Sequence, residues 1–316
     1  MSQSYVGYST DPQIRYKSTS GGVGSAIIKY MLDSKKCDYA LSFDWDEKGL
    51  CYHPKLITDF SQYNICGSIY QEMNLMSVLK GLLQELPKKG KIILFSLPCQ
   101  TKALRKICEL AGYESIIIGL TCSSQQSKEA TSFLLKYLGI KEEDVKHLQY
   151  RGNGWPSGIQ IETKDGVKHF VKNNGSIWEK VFHSRLFIQP RCFACINTLN
   201  EYSDIALADP WIRGFENETT GQTLFTPFSE EGESIVEECK TAGYIEYTCI
   251  DKDQLYLSQR FTIARKNSYN ANPRVRNWMK KVFLSGRYHR LAVKNYRMLK
   301  MHLWLLKHIE RRIIKY

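Results

Sequence analysis

Residues 91–122 read KIILFSLPCQTKALRKICELAGYESIIIGLTC and predict the fold class. KIILFSLP and ESIIIGLT are continuous apolar runs, which is the pattern of strands that are buried on both faces of a sheet. Between them, TKALRKICELAG carries apolar residues at helical spacing and ends at a glycine. Two strands that are joined by a single helix usually lie parallel in one sheet, so this stretch predicts an α/β fold.

The alternation of helices and strands extends from residue 20 to residue 150. It predicts a mainly parallel or mixed sheet with flanking helices. Residues 145–171 alternate in polarity around the turn sequence KDG, which predicts a small β-hairpin insertion. A long helical and basic region follows Asn272-Pro273. We therefore expect one domain over residues 1–265 and a basic amphipathic helical tail over residues 266–316.

The positive charge of the chain is concentrated near its C-terminus. The net charge is +12, and residues 274–316 hold 13 Lys or Arg against one acid, Glu310. Two interpretations of this segment remain open. A basic amphipathic helix can lie on an anionic membrane with Trp304 and the leucines facing inward, or it can pack on its own domain with a solvated basic face. No RNA-binding module is visible, so nucleic acid is not a predicted partner.

The sequence also bears on the compartment. It contains no run of 18 or more uncharged apolar residues, so no transmembrane helix is predicted. Residues 1–18 are polar and lack the apolar segment of a secretory signal. We therefore expect a cytoplasmic protein, and the basic segment would hold it at the inner face of the membrane if it binds lipid.

Four of the ten cysteines form a candidate metal centre. Cys99 and Cys122 each follow an apolar strand, and the carboxyl ends of parallel strands are where ligands bind in such sheets. Cys192 and Cys195 form a CxxC motif, whose two thiolates can hold one metal or cluster. Four thiolates suit a [4Fe–4S] cluster or a structural zinc, and ordinary buried cysteines are the third interpretation.

Three loops could contact a cofactor. KSTSGGVG, residues 17–24, places glycines at a helix start, where backbone N–H groups can approach a phosphate. YRGNGWP, residues 150–156, combines Arg and Trp, which can answer a negative charge and cover an aromatic ring. ADPW, residues 208–211, places an acid and an aromatic after a strand. Each loop also has a structural interpretation, as a glycine-rich helix start, a tight turn and an Asx-type turn.

In chain order, these motifs resemble one family. KSTSGGV, GSIY (residues 67–70), SLPCQ, ALRK, GLTC, YRGNGW, the CxxC and SDIALADPW resemble the beta subunit of coenzyme F420 hydrogenase/dehydrogenase. The resemblance runs from about Arg15 to Trp211. It implies that Cys99, Cys122, Cys192 and Cys195 hold a [4Fe–4S] cluster. It further implies an FAD site at Lys17, Ser18, Ser20, Gly21, Gly22, Val23, Tyr70, Arg151, Gly152, Trp155, Asp209 and Trp211.

The chain departs from the family pattern at three places. Ile69 occupies the position of a common Lys, and Ser123 and Ser124 replace the His-Gly that commonly follows the second cysteine segment. The ferredoxin-type cysteine run that many members carry is not in this sequence. The resemblance therefore implies that a separate ferredoxin-like protein exchanges electrons with this chain.

The resemblance implies an FAD- and [4Fe–4S]-dependent oxidoreductase that passes electrons between an iron–sulfur carrier and a small-molecule or sugar substrate. Similarity to proteins encoded with bacterial surface-polysaccharide enzymes suggests the sugar. The alternative is a non-redox scaffold or a transferase-like protein of such a pathway, holding zinc or no cofactor. The sequence assigns no catalytic residue.

Overall fold

The computed structural model describes residues 3–314 and contains two β-sheets. The larger sheet has eight strands in the order β11-β1-β10-β9-β5-β4-β2-β3, and the smaller has three in the order β6-β7-β8. The strands are β1 Ser4–Ser9, β2 Tyr39–Asp46, β3 Cys51–Ile57, β4 Lys91–Ser96, β5 Glu114–Leu120, β6 Val145–Gln149, β7 Gly158–Thr163, β8 Lys168–Lys172, β9 Ile205–Ala208, β10 Thr223–Pro227 and β11 Ile245–Ile250.

Helices cover the large sheet and make up the C-terminal part of the described chain. They are α1 Pro12–Lys17, α2 Val23–Asp33, α3 Leu75–Gln84, α4 Thr101–Leu110, α5 Lys128–Leu138, α6 Ile177–His183, α7 Glu230–Thr241, α8 Gln254–Ala271, α9 Pro273–Leu284, α10 Gly286–Ala292 and α11 Tyr296–Ile313. Their ends follow local capping chemistry. The Ser229 hydroxyl accepts from the Gly232 N–H at the start of α7, and Gly139 ends α5 with a φ of 73°.

The centre of the large sheet is parallel and its flanks are antiparallel. Strands β2, β4, β5 and β9 run parallel to one another, whereas β3 pairs antiparallel with β2. On the other flank β10, β1 and β11 pair antiparallel in succession from β9. The predicted α/β class with a mainly parallel or mixed sheet is therefore confirmed.

The smaller sheet corresponds to the predicted hairpin insertion. The hairpin β7–β8 closes around the KDG turn, and β6 adds a third antiparallel strand along β7. The predicted hairpin is present, but the insertion has three strands. The third strand, VKHLQ, lies before the glycine-rich loop 150–156, so sequence proximity to the turn does not reveal its pairing.

The C-terminal helices pack on the domain instead of projecting from it. Met279, Phe283, Leu299 and Leu306 are buried in the core cluster that also contains the small sheet. The predicted boundary between residues 265 and 266 falls inside α8. No described helix is long and apolar enough to cross a membrane.

The outer face of this region keeps apolar side chains in contact with solvent. Trp278, Met301 and Trp304 are exposed among many basic residues. The packing agrees with the interpretation of a terminal helix on its own domain, and the membrane contact stays a prediction. Residues 315 and 316 of the predicted basic segment lie outside the described residues.

Candidate cofactor site at the carboxyl edge of the sheet

Strands β4, β5 and β9 bring three of the sequence-predicted segments to one edge of the sheet. The strands are parallel and adjacent, so Cys99, Cys122 and Asp209 all follow carboxyl ends at the same side. Leu120 on β5 pairs with Leu207 on β9, and Cys122 and Asp209 each lie two residues beyond this pair. The carboxyl edge of the parallel strands is the expected place for a ligand in this class of sheet.

The four predicted cysteines line one cavity of about 260 Å³. Cys99 lies in the turn after β4, and the Cys122 N–H donates to the Thr198 carbonyl at 3.0 Å. Cys192 and Cys195 come from a short 3₁₀ helix, Pro190–Ala194, and the residue that follows it. Segments that are 23 to 96 residues apart in the chain thus present four thiols to one cavity.

Burial favours the protonated form of three of these thiols, those of Cys99, Cys122 and Cys192. It raises the pKa of Cys122 to about 12, although Lys266 acts in the opposite direction. Burial also raises the pKa of Cys99 and of Cys192. A coordinated metal deprotonates such thiols, so binding a metal or cluster would release protons from this cavity.

Three cationic side chains surround the cavity. Lys266 is 3% exposed, and its Nζ donates to the carbonyls of Cys122 and Asn197, both at 2.7 Å, while lying 3.5 Å from the Cys195 Sγ. Arg265 donates to the Ser123 hydroxyl at 2.9 Å, and Arg191 donates to the Gln125 side-chain oxygen at 2.9 Å. Burial and the neighbouring Arg185 lower the pKa of Arg265 to about 10, which still leaves it charged at neutral pH.

The arrangement fits a cluster better than a single zinc ion. Tetrahedral zinc with bonds of about 2.3 Å to sulfur would hold the sulfurs about 3.8 Å apart. Among the described residues, only Asp46, Cys51 and His53 form a group of three or more whose ligand atoms all lie within 4.8 Å of one another. No three sulfurs of the cavity are therefore that close. An iron–sulfur cluster places iron and sulfide between its ligands, and the cavity has the volume and the positive surroundings for it.

The second set of predicted residues meets around the Asp209 carboxylate. Arg151 donates to it twice, from Nη1 to Oδ2 at 2.6 Å and from Nη2 to Oδ1 at 2.8 Å. The Ser20 hydroxyl and the Trp155 Nε1 also donate to Oδ1, the latter at 3.1 Å. The Trp155 and Trp211 rings pack with their centroids 4.8 Å apart. Three loops that are distant in sequence are thereby tied to one acid.

Arg151 and Asp209 stabilise each other's charged form. Burial opposes both charges, but the guanidinium and the other donors hold the pKa of Asp209 below its usual value. Asp209 likewise holds the pKa of Arg151 above its usual value, against the effect of burial. The bidentate pair fixes the orientation of the loop that carries Trp155. The pair as a whole carries no net charge.

The loops pack backbone against backbone. A Cβ on Gly152, which has a φ of 116°, would overlap the Lys17 carbonyl. The Ser68 N–H donates to the Thr19 hydroxyl at 2.8 Å. Glycine at position 152 is thus required by a close approach as well as by its backbone angle.

The remaining residues of the predicted FAD segment 17–23 differ in their burial and in their hydrogen bonds. The Ser18 hydroxyl bonds to that of Ser25 at 3.1 Å, and a Cβ on Gly21 would lie 2.8 Å from the Gly221 carbonyl. Gly22 precedes α2 and offers it no side-chain cap, so the first N–H groups of that helix lack a side-chain partner there. Val23 is fully buried in the hydrophobic core, and the side chain of Lys17 is exposed.

A short path connects the two parts of the site. The Tyr70 carbonyl accepts from the Gln126 N–H at 3.0 Å, four residues beyond Cys122. The Tyr70 ring packs on Tyr150, next to Arg151, with centroids 5.8 Å apart. The loop that contains Tyr70 therefore contacts both the cysteine segment and the arginine segment.

The residues fit FAD as well as a cluster. The Arg151 Nε is buried without a hydrogen-bond partner, so one donor remains for a ligand acceptor. The start of α2 offers N–H groups without a side-chain cap, and the two indole rings offer a flat apolar surface.

The cations Lys266 and Arg265 were missed by reasoning from sequence. Both lie on a polar helix 70 residues beyond the CxxC motif, where basic residues usually indicate a solvated face. Only the packing of α8 against the short helix that carries the CxxC reveals their role.

Two family models match this chain, and both describe the "Coenzyme F420 hydrogenase/dehydrogenase, beta subunit". Residues 4–80 match the model of its N-terminal part. Residues 89–253, more than half of the chain, match the model of its C terminus. The two models together include all but one of the segments that meet at the site, since Arg265 and Lys266 on α8 lie beyond the second model.

Similar proteins include subunits of several enzymes. The coenzyme F420 hydrogenase subunit beta of Methanococcus voltae is 27% identical over 81% of this chain and 88% of its own length. The F420-dependent formate dehydrogenase subunit beta of Methanocaldococcus jannaschii is 25% identical over 75% of this chain. The F420-dependent formate dehydrogenase 1 subunit beta of Methanococcus maripaludis is 23% identical over 77% of it. The chain spans 59% and 60% of the length of these last two relatives.

A solved structure shares the fold. A chain of the F420-reducing [NiFe] hydrogenase complex from Methanosarcina barkeri, in a xenon-derivatised crystal, superposes with a TM-score of 0.66 at 17% identity. The superposition covers 90% of this chain and 95% of that one. With both family models matched in order along the sequence, this chain belongs to the family of coenzyme F420 hydrogenase/dehydrogenase beta subunits.

Proposed function

We propose that this chain is an FAD- and [4Fe–4S]-containing subunit of an oxidoreductase. The observation that carries the proposal is the cavity in which Cys99, Cys122, Cys192 and Cys195 meet at the carboxyl edge of the sheet. These cysteines would hold the cluster, and Lys266 with its neighbouring arginines would offset its negative charge. When bound, FAD supplies hydride exchange with an organic partner, and the cluster supplies exchange of single electrons.

The chain's own residues would position the flavin. The Asp209 carboxylate fixes Arg151 and Trp155 from one side and Ser20 from the other. This leaves the Arg151 Nε as a donor and the Trp211 ring, which is 45% exposed, as a surface against which a ring system can lie. The loop at Tyr70 would hold the flavin segment and the cluster segment at a fixed separation.

The opening of the cysteine cavity supports exchange with a separate electron carrier. Cys99 is exposed, and Ile196 on the rim is 71% exposed. An apolar rim around a metal site suits a weak and transient contact with another protein. We infer a ferredoxin-like protein or another subunit of a larger complex as this partner, in keeping with the names of the relatives, which are subunits of a hydrogenase and of formate dehydrogenases.

Coenzyme F420 is the first candidate for the organic partner, because the relatives are named for it. Ile69 weighs against F420 as the substrate, because it places an apolar side chain where the family commonly has Lys. A small molecule with less negative charge is the second candidate and is favoured by that substitution. A sugar of a surface-polysaccharide pathway is suggested by the resemblance to proteins encoded with such enzymes. Turnover with F420 and with nucleotide sugars under otherwise equal conditions separates the two.

Replacing single cysteines tests the proposal. Anaerobically reconstituted Cys192→Ser and Cys122→Ser proteins should lose the broad absorbance near ~400 nm and most of their iron, while flavin bands near ~450 nm remain. Cys249→Ser is the matched control, because Cys249 is exposed on β11 away from the cavity. Equal iron content in all three variants would refute the cluster assignment.

A non-redox scaffold with zinc or without a cofactor is the competing function. The spacing of the sulfurs weighs against zinc in this cavity, because no three of them lie within 4.8 Å of one another. A protein that takes up neither iron nor flavin during reconstitution would favour the scaffold.

A further inference from the structure

A second group of metal-ligating side chains lies on the hairpin of β2 and β3, at the edge of the large sheet. Asp46 and Cys51 face each other as the last pair before the turn. His53 lies two residues beyond Cys51, so it projects from the same face of β3. None of the three belongs to the cysteine cavity or to the loops around Asp209.

The thiol of Cys51 and the carboxylate of Asp46 both lie close to the Nε2 atom of His53. The His53 Nε2 lies 3.2 Å from the Asp46 Oδ2 and 3.5 Å from the Cys51 Sγ. A catalytic Cys–His–Asp relay needs the acid on one ring nitrogen and the thiol on the other. In this group the thiol and the carboxylate both approach Nε2. The ring therefore cannot accept a proton from the thiol on one nitrogen while it donates to the carboxylate from the other. The arrangement is that of ligands around a common centre.

The separations match the edges of a tetrahedral zinc site. Bonds of about 2.3 Å to sulfur and about 2.0–2.1 Å to nitrogen and oxygen place sulfur and nitrogen about 3.6 Å apart, and nitrogen and oxygen about 3.4 Å apart. The observed 3.5 and 3.2 Å lie close to these values. We propose that Asp46, Cys51 and His53 bind one Zn²⁺ ion, with water as the fourth ligand.

The turn prepares the site for the ion. The Lys48 N–H donates to the Asp46 Oδ1 at 3.0 Å, which leaves Oδ2 directed toward His53. A Cβ on Gly49 would lie 2.9 Å from the Cys51 Sγ and would overlap the Asp46 carboxylate, so glycine lets the turn close over both ligands.

The exposure of His53 determines how an ion reaches the site, and the types of ligand determine which ion binds. The His53 side chain is 63% exposed, so an ion can reach the three ligands from solvent and keep a water. A thiolate and an imidazole favour zinc over magnesium or calcium, which prefer oxygen ligands. The bound ion would cross-link the edge strand β3 to β2 at the turn end of their hairpin, next to Leu50, whose carbonyl accepts from Gln71.

Zinc binding is tested on full-length protein whose cysteine cavity has first been loaded with iron and sulfide. Zinc is added, excess metal is removed, and the zinc that remains is counted and examined by X-ray absorption at the zinc edge. We expect one zinc per chain, a Kd of about micromolar or lower, and one sulfur near about 2.3 Å among nitrogen and oxygen neighbours. Cys51→Ser and His53→Ala should each weaken binding by about 100-fold or more, since even the loss of an outer-shell partner costs about 10- to 100-fold.

The Cys249→Ser protein is the matched control, because it also removes one exposed or half-exposed thiol from a strand. It should bind zinc as the unaltered protein does. Absence of bound zinc, a four-sulfur environment, or unchanged binding by Cys51→Ser would overturn the proposal. Protection of Cys51 from iodoacetamide by zinc in the unaltered protein provides a test that depends on no variant, and alkylation at an unchanged rate would also overturn it.

Discussion

Removing the charge of Lys266 should lower the reduction potential of the proposed cluster. The Nζ lies 3.5 Å from the Cys195 Sγ and is almost fully buried, so its charge acts at short range. Coulomb's law at this distance gives about 1.2 kcal/mol at the dielectric constant of water and about 4.7 kcal/mol at an effective value of about 20. For a one-electron couple, in which a tenfold change is about 59 mV, these limits correspond to a shift of about 50 to 200 mV.

The substitution Lys266→Gln tests this expectation, because glutamine can still donate to the carbonyls of Cys122 and Asn197. The positive charge stabilises the more negative, reduced cluster, so its loss makes reduction harder and the potential more negative. An EPR-monitored redox titration measures the shift. Lys266→Arg should keep the potential, and Lys141→Gln, at an exposed lysine, is the control for charge loss elsewhere. A potential for Lys266→Gln that stays within about 20 mV, or rises, would refute the electrostatic role.

Three further substitutions test the rest of the account. Asp209→Asn leaves a buried guanidinium unpaired, so the free energy of unfolding in urea should fall by about 3–5 kcal/mol, and a variant as stable as the unaltered protein at pH 7 would contradict the pairing. Because folding lowers the pKa of Asp209, its stabilising contribution is present above the unfolded pKa of about 3.9 and is lost as the pH falls through the lower folded pKa. Gly152→Ala should reduce flavin content by displacing the loop it touches, whereas Gly166→Ala, with a positive φ but open space around it, should not, and equal flavin in both would argue against the loop contact. Leu306→Ala should lower the free energy of unfolding by about 2–5 kcal/mol, whereas Trp304→Ala, at an exposed site on the same helix, should change it by no more than about 0.5 kcal/mol. A larger loss for Trp304→Ala than for Leu306→Ala would contradict the packing of α11 through its Leu306 face.

The parallel centre of the sheet could be predicted because its strands are continuous apolar runs. The central residues of KIILFS and ESIIIGL are buried, as their composition indicates. The antiparallel flank was not predicted. Strands β1 and β10, SYVGYS and TLFTP, are short and rich in Ser, Thr, Gly or Pro, so their local pattern resembles that of loops. They are strands because they pair with each other and with β9 and β11, which is a long-range property.

Part of the candidate site could likewise be predicted from local sequence, and part depends on the three-dimensional fold. Cys99 and Cys122 could be brought together from sequence, because they follow strands predicted to be parallel. Cys192 and Cys195 could be added as a CxxC motif that completes a set of four thiolates, but only the family resemblance chose a [4Fe–4S] cluster over zinc or ordinary buried cysteines. The contact of Lys266 with this group depends on where α8 lies in three dimensions, and nothing in its neighbouring residues indicates it.

The C-terminal helices illustrate a limit of charge patterns. A basic amphipathic segment has an apolar face whether that face meets lipid or protein, so the sequence left both interpretations open. The structure places Phe283 and Leu299 in the protein core. Flotation with anionic vesicles, using a protein in which Trp278, Met301 and Trp304 are replaced by Ser, examines the exposed face without unfolding the core beneath it.

An iron and acid-labile sulfide assay on the anaerobically purified and reconstituted protein tests the central claim most directly. The account predicts about four iron and about four sulfide per chain, bound in the cavity that Cys99, Cys122, Cys192 and Cys195 line. A folded protein that takes up no iron, or that holds a single zinc on four sulfurs in this cavity, would contradict it.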